Sequence, residues 1–384
     1  MLYNLMVLLV VIMLWIYKEH NYNDDRYINW IFVFIWFIFA VEFYTTKDYN
    51  VYYEGFYNPR SQLHWEFLYR NLNKLFQPVG YVVMNACISA FEIYTLCKMY
   101  KLTVKPQYRW IGILIFVLDC TTQMFLYMNF KRQFFAMMAS LWIIYFLLYY
   151  NGGVLKRYLY AFVAFLCAIN IHSAAFITVL YFILPFVKFR LNKIAIIGIL
   201  LLFIGSYTFK LSMYMNQLYV LLSASGSAED YYEAYLLQQE TYEDMSFASV
   251  FLNDFASVSK LILLLLFNKS FDDKFFKLVL LSIISFALYN ILKGNFYRIN
   301  LFFSMMNIFT IPMLCNAIRN YKGRYLGTNI TKYVYSIFLL MILLYPAKQY
   351  YNAMTGTKVT FMTVKYQYFY NIFDTNPDTK DYYF

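Results

Sequence analysis

Charged residues are scarce in this 384-residue chain, at 14% of the total, where a soluble domain carries about a quarter. Glycine and proline are also few, 12 and 7 residues, and neither a long low-complexity linker nor an internal repeat is visible. Histidine occurs three times and no HExxH is present, so no protein-built metal site is expected. The five cysteines (Cys87, Cys97, Cys120, Cys167, Cys315) lie inside apolar segments without CxxC spacing. They read as small buried hydrophobes, not a disulfide framework. No basic residue precedes the first apolar run, 2–17, and no small-residue cleavage site follows it, so that run reads as a retained span.

What is abundant is apolar. The chain is 62% hydrophobic and 23% aromatic, with a mean hydropathy of +0.49, and its apolar runs reach the ~17–25 residues that cross a bilayer. This composition predicts an all-α, polytopic transmembrane bundle forming one membrane domain over residues 1–384. The net charge of +11 does not point to nucleic acid. Its basic residues gather in short loops at 98–109, 151–157, 188–193, 268–277 and 319–332 which, with Lys18 and Arg26, hold more than half of the chain's 32 Lys and Arg residues. The positive-inside rule makes these loops cytoplasmic.

About twelve spans follow, near 2–17, 28–44, 78–97, 110–128, 133–150, 158–171, 172–187, 194–210, 248–267, 276–292, 297–318 and 333–346. The pair 158–187 reads either as two short helices or as one span with a re-entrant piece, because about 14 residues of α-helix are short for a ~30 Å core. The larger loops near 45–77 and 211–247 then face away from the cytoplasm. The second is acidic, and the stretch around 229–240 is expected to form a surface helix.

This topology gives "NFKRQFFAMMAS" (129–140) an address where positive-inside bias supplies no reason for a basic pair. Arg132 opens this segment, His172 stands at the turn of "CAINIHSAAFITVL", and Arg298 lies in "KGNFYRINLFFSMMNIFTIP". An ionisable group bordering apolar membrane sequence marks a functional site by default. The competing readings are a snorkelling arginine and a helix–helix hydrogen-bonding histidine. Two guanidiniums suit bidentate phosphate binding, and an imidazole suits proton transfer near neutral pH. Lys131 adds charge or serves as a flank.

Asp48, Tyr49, Glu54, Glu66 and Arg70 lie in the 45–77 loop. Glu66 and Arg70 are at i, i+4, where a helix sets them side by side as a structural pair. The tyrosines there fit either sugar stacking or an interfacial belt. Glu42 and Asp254, near outer span ends, are positioned to join a site. Glu92 and Asp119 lie deeper and read as interhelical hydrogen-bonding groups, and Asp24–Asp25 and Asp272–Asp273 as solvated clusters.

Four segments share a pattern. "KRQFFAMMAS" resembles the RQ-x-x-A signature of the EpsG-type family of polysaccharide polymerases, and "INIHSAAF" its apolar-H-x-S-A segment. "TTKDYNVYYEGF" resembles its T-D-Y-x-x-Y stretch, with Lys47 interposed between Thr46 and Asp48, and "FYRINLFF" its R-I-x-x-Y/F segment. The resemblance implies a Wzy-like O-antigen or capsule polymerase of GT-C-like architecture. Such an enzyme takes undecaprenyl-pyrophosphate-linked oligosaccharide as substrate at the outer face of the cytoplasmic membrane.

By the same resemblance, Arg132, His172 and Arg298 are the expected catalytic residues. Gln133, Lys131, Asp48, Tyr49, Glu66 and Arg70 are expected to bind substrate. A pyrophosphate leaving group asks for charge stabilisation, which two arginines supply without a metal or other cofactor. In this scheme His172 is the base for the acceptor hydroxyl, and the Tyr-rich loops with 213–247 form the sugar cleft. Membrane lipids and a chain-length regulator are the expected partners. The rival functions are an O-antigen ligase, a flippase or transporter of lipid-linked sugars, and a membrane acyltransferase.

Overall fold

The structure is a computed structural model that describes residues 2–41, 49–58, 65–118, 130–208, 259–289, 297–321 and 328–355. Among these residues every regular element is helical. Among the described residues, four helices are long and apolar enough to cross a membrane: Tyr81–Thr103, Lys131–Tyr149, Val154–Ile171 and Arg298–Arg319. All four coincide with predicted spans. Shorter apolar helices lie at Pro106–Leu118, Ser173–Phe186 and Lys193–Leu202, within or beside three more. The acidic stretch 213–247, and Asp48, Glu42, Asp119 and Asp254, lie outside the described residues.

The chain divides into two compact units, residues 1–186 with 322–384, and residues 187–321. The first contains α1 (Leu2–Glu19), α2 (Asp25–Ala40), α3 (Tyr49–Tyr57), α4 (Phe67–Phe76), α5 (Tyr81–Thr103), α6 (Arg109–Leu118), α7 (Lys131–Ile144) and α8 (Val154–Ile171). A 3-10 helix, Ser173–Phe186, follows α8. Helices α2 and α5 run antiparallel, with Asn29 beside Lys101 and Phe39 beside Asn85, while α5 and α7 run parallel, so this unit has two ends. One end gathers the basic turns. There Arg109 of α6 donates to Asp25 (2.5 Å), to the Lys101 carbonyl (3.0 Å) and to the Val104 carbonyl (3.0 Å). The opposite end gathers α3, α4 and the first turns of α5 and α7.

Two local departures from the sequence expectation have clear causes. The predicted basic loop 98–109 is mostly helix, because α5 runs on to Thr103. Lys98 and Lys101 therefore ride the last turns of α5, where cations offset the helix dipole. Lys98 Nζ lies 4.3 Å from the Trp142 ring centroid and 4.2 Å from that of Tyr145, and Lys101 bonds Asn29. The basic pair 131–132, expected in a loop, forms the first two residues of α7.

The stretch read as two short helices or as one span with a re-entrant piece, 158–187, forms a hairpin of α8 and the 3-10 helix. The 18 residues of α8 rise about 27 Å at 1.5 Å each. The 14 residues of the 3-10 helix rise about 28 Å at 2.0 Å each, so the two legs match in length although their residue counts differ. A 3-10 helix turns in three residues, and its buried side chains keep that step: Ala175, Thr178, Tyr181 and Leu184 form one row. Tyr181 is fully buried, and the Thr178 hydroxyl returns a 2.7 Å bond to the Ala175 carbonyl.

The second unit holds α9 (Lys193–Thr208), α10 (residues 259–266), α11 (Asp273–Tyr289), α12 (Tyr297–Ser304) and α13 (Asn307–Arg319). A polar seam joins α11 to α13, with Ser282 bonded to Asn307 and accepting a 3.2 Å bond from Thr310. In the same unit Arg190 packs on the Phe276 ring, with 4.3 Å between its guanidinium carbon and the centroid. The first unit is completed by α14 (Thr328–Thr355), which is longer than the predicted span 333–346 and carries Pro346.

Candidate functional site

Adjacent residues on a helix point about 100° apart, and the first turn of α7 uses this to serve two networks at once. Arg132 turns toward α4. Its Nη1 donates to Glu66 Oε2 at 2.7 Å, a charge-assisted bond between side chains that are both about four-fifths buried. The other carboxylate oxygen, Glu66 Oε1, accepts the backbone N–H of Ser173 at 2.8 Å. Glu66 thereby fastens the start of α4 to α7 and to the turn that carries His172. The Arg132 guanidinium also lies over Trp65 (5.2 Å) and Tyr69 (5.9 Å). Its Nε is buried with no hydrogen-bond acceptor among the described residues.

Lys131 turns the other way, into the bundle. It is 8% exposed and donates to Asn85 Oδ1 at 2.8 Å and to the Tyr81 hydroxyl at 3.3 Å. It also lies 5.4 Å from the ring centroids of both Tyr49 and Tyr81. Asn85 is fixed in turn by donating to the Phe39 carbonyl at 2.8 Å. The flank reading therefore gives way: Lys131 is an internal group with designated partners. Beside it Asn85, Ser89 and Glu92, with Phe39, Met84 and Ile88, line a small cavity of mixed character.

The tyrosines of the 45–77 region divide, Tyr49, Tyr52 and Tyr69 being buried and Tyr57 exposed. Tyr49, Phe56, Tyr69 and Tyr81 are fully buried; Tyr49 and Phe56 meet Tyr81 edge-on, and Tyr69 meets Tyr52 and Trp65, forming an aromatic floor beneath the two cations. Burial drives the Tyr69 phenol well above its usual range, with Arg132 pulling the other way, so it remains a hydroxyl and a donor. The positive end of the α7 dipole adds to the charge of Lys131 and Arg132 at its first turn.

His172 terminates α8 in an extended conformation (φ −155°, ψ 123°), and its carbonyl accepts the first 3-10 bond from Ala175. Its Nδ1 accepts the Ala174 N–H at 3.2 Å. In the neutral ring the proton therefore sits on Nε2, which makes that nitrogen a donor.

The structure thus brings Arg132, Glu66 and the His172–Ser173 turn together, with Lys131 and Tyr49 next to them. Gln133 is buried within α7. Arg70 is one turn beyond Glu66, but the Glu66 carboxylate reaches Arg132 instead of forming the expected i, i+4 pair. The reason is local: Glu66 is the N-cap of α4, with extended backbone (ψ 154°), so its side chain leaves the helix axis. Arg298 belongs to the second unit, exposed at the start of the span Arg298–Arg319.

Sequence reasoning missed Asn85, Trp65 and the Ser173 amide. None carries a charge, and each matters only through a partner distant in the chain.

The four motif segments have a counterpart among known families, because a family model, the EpsG family, matches residues 25–368. The chain belongs to the EpsG family. EpsG-type proteins are Wzy-like polymerases, so membership points to a membrane protein of polysaccharide biosynthesis with polymerase-like function. No curated protein and no solved structure matches the chain.

In this EpsG-family protein Gly55 bears on the site from behind. A methyl group there would overlap the Trp65 ring, which lies against Arg132. Gly55→Ala should push the indole into the guanidinium and lower polysaccharide yield per molecule about tenfold, since small displacements of positioning groups are costly. Gly198→Ala, which meets open space, should leave the yield unchanged. Yield normalised to immunoblotted protein measures both.

Proposed function

We propose that this protein joins lipid-linked oligosaccharide repeat units, moving the growing glycan from undecaprenyl pyrophosphate onto the distal sugar of a new unit. The observation that carries the reading is the Arg132–Glu66–Ser173 assembly, which sets a guanidinium beside a histidine turn at the end of the bundle opposite the basic loops. By the positive-inside rule that end faces outward. A lipid-linked sugar presents its pyrophosphate at the membrane surface, where a guanidinium, an ammonium and a helix N-terminus are the groups that bind it.

In this reading Arg132 grips the pyrophosphate, and Lys131 adds positive potential from within. Arg298 is the second guanidinium, while Gln133, Tyr49 and Asp48 shape the sugar site. The step needs no metal, because the leaving group is already an activated anion that preorganised donors can stabilise. Some twelve spans in a GT-C-like bundle, placed in the bacterial cytoplasmic membrane, fit the alternation of basic loops. A chain-length regulator is the partner such a polymerase would have.

Deleting the gene should reduce surface polysaccharide to single repeat units on a sizing gel, and the wild-type copy should restore the long ladder. Repeat units trapped inside the cell would favour a flippase. Full-length polymer left on its lipid carrier would favour a ligase. Either result defeats the proposal.

A further inference from the structure

We propose that Glu66 is the proton acceptor for the incoming sugar hydroxyl, and that capture of Arg132 by the donor's pyrophosphate is what frees it to act. The inference rests on the polymerase reading above. His172 is excluded as the base by its own geometry, because Nδ1 is filled by the Ala174 N–H. The neutral ring offers Nε2–H, which gives a hydrogen bond to an anion and takes no proton from an alcohol.

Glu66 is the carboxylate in the same network. Both of its oxygens are occupied, Oε2 by Arg132 and Oε1 by the Ser173 amide. So engaged, the carboxylate presents neither oxygen unoccupied to an incoming hydroxyl.

Arg132 is held incompletely. One nitrogen bonds Glu66, while the buried Nε has no acceptor among the described residues. A pyrophosphate offers oxygens to two guanidinium nitrogens at once, so the guanidinium gains a bond by moving onto it. Glu66 Oε2 is then vacated, while the Ser173 amide still holds Oε1 and fixes the direction of the carboxylate.

Transfer proceeds with the acceptor oxygen bonding to the donor's anomeric carbon. The carbon–oxygen bond to pyrophosphate breaks, and its electron pair leaves on the phosphate, held by Arg132 and by His172 Nε2–H. The acceptor hydroxyl proton passes to Glu66 Oε2. Release of the lipid pyrophosphate returns Arg132 to Glu66, and the proton goes to water. The base is thus exposed only while a donor is bound.

The test uses the full-length protein in lipid nanodiscs, with the repeat-unit lipid extracted from the deletion strain. Glu66→Gln and Glu66→Ala should slow joining about 100-fold or more, the usual share of a general base. Both should bind undecaprenyl pyrophosphate as tightly as wild type or tighter, because the competing carboxylate is gone. Azide, an anionic nucleophile with no proton to lose, should form the glycosyl azide at similar rates with wild type and Glu66→Ala.

Weaker pyrophosphate binding in proportion to lost joining would show that Glu66 only positions Arg132, and would overturn the proposal. Joining within about tenfold of wild type would overturn it too. Failure of the wild-type protein to join repeat units would instead remove the polymerase reading, and this inference with it.

Discussion

Arg132→Ala should collapse the polysaccharide ladder to a single repeat unit, with joining reduced about 100- to 1,000-fold, the loss expected when one preorganised donor to a developing anion is removed. The argument has two parts. In the proposed reaction the guanidinium is the group that grips the leaving pyrophosphate, and in the structure it is the partner of Glu66 Oε2. Truncation removes the first function and leaves a carboxylate that is mostly buried without its counter-charge, at a cost of about 2–3 kcal/mol to the local fold. The gel must therefore be read beside protein abundance and a thermal midpoint. Arg132→Lys separates the two effects. An ammonium still satisfies Glu66 but cannot make a fork, so stability should return while joining remains low. Full chain length from Arg132→Lys would end the case for bidentate pyrophosphate binding.

Arg109→Ala has the largest expected effect on stability, at the other end of the same unit. Arg109 is 5% exposed and ties three elements together. It reaches Asp25 at the start of α2, the Lys101 and Val104 carbonyls where α5 ends, and the Tyr17 hydroxyl of α1 at 3.5 Å. Among the described residues, alanine leaves the two carbonyls without that donor and Asp25 with only Lys101 at 3.6 Å, a loss of about 2–4 kcal/mol for the hydrogen bonds cut. The thermal midpoint in detergent should drop by several degrees or more. Polymer length per surviving molecule should not change, because nothing at the Glu66 end is touched. A shift in chain length at constant protein level would contradict the separation of the two ends.

The long apolar helices were readable because hydrophobic runs are local signals. Lys131–Tyr149 and Val154–Ile171 fall where composition and loop charge put them. The pair 131–132 also stood out, through charge in a place where topology gave it no role. Its partners did not. Glu66 lies 66 positions from Arg132 and 107 from Ser173, and nothing in a single sequence links such distant residues. The i, i+4 spacing of Glu66 and Arg70 gave a false local answer, since a residue at an N-cap does not share the helix's side-chain geometry. The 3-10 helix was equally hidden. Residues 173–186 are apolar on every side, so the three-residue row of Ala175, Thr178, Tyr181 and Leu184 leaves no pattern against its neighbours.

That 3-10 helix sets the depth at which His172 sits. Coiled as an α-helix, the same 14 residues would be shorter by about 7 Å, roughly a quarter of the hydrocarbon thickness. The Ser173 amide, which must meet a carboxylate on a separate helix, would then be drawn away from it. The buried row resists this, because a turn of 3.6 residues would swing Thr178, Tyr181 and Leu184 progressively off the face they fill. Side chains packed far down the hairpin therefore act as a plumb line for the turn above them, holding Ser173 level with Glu66.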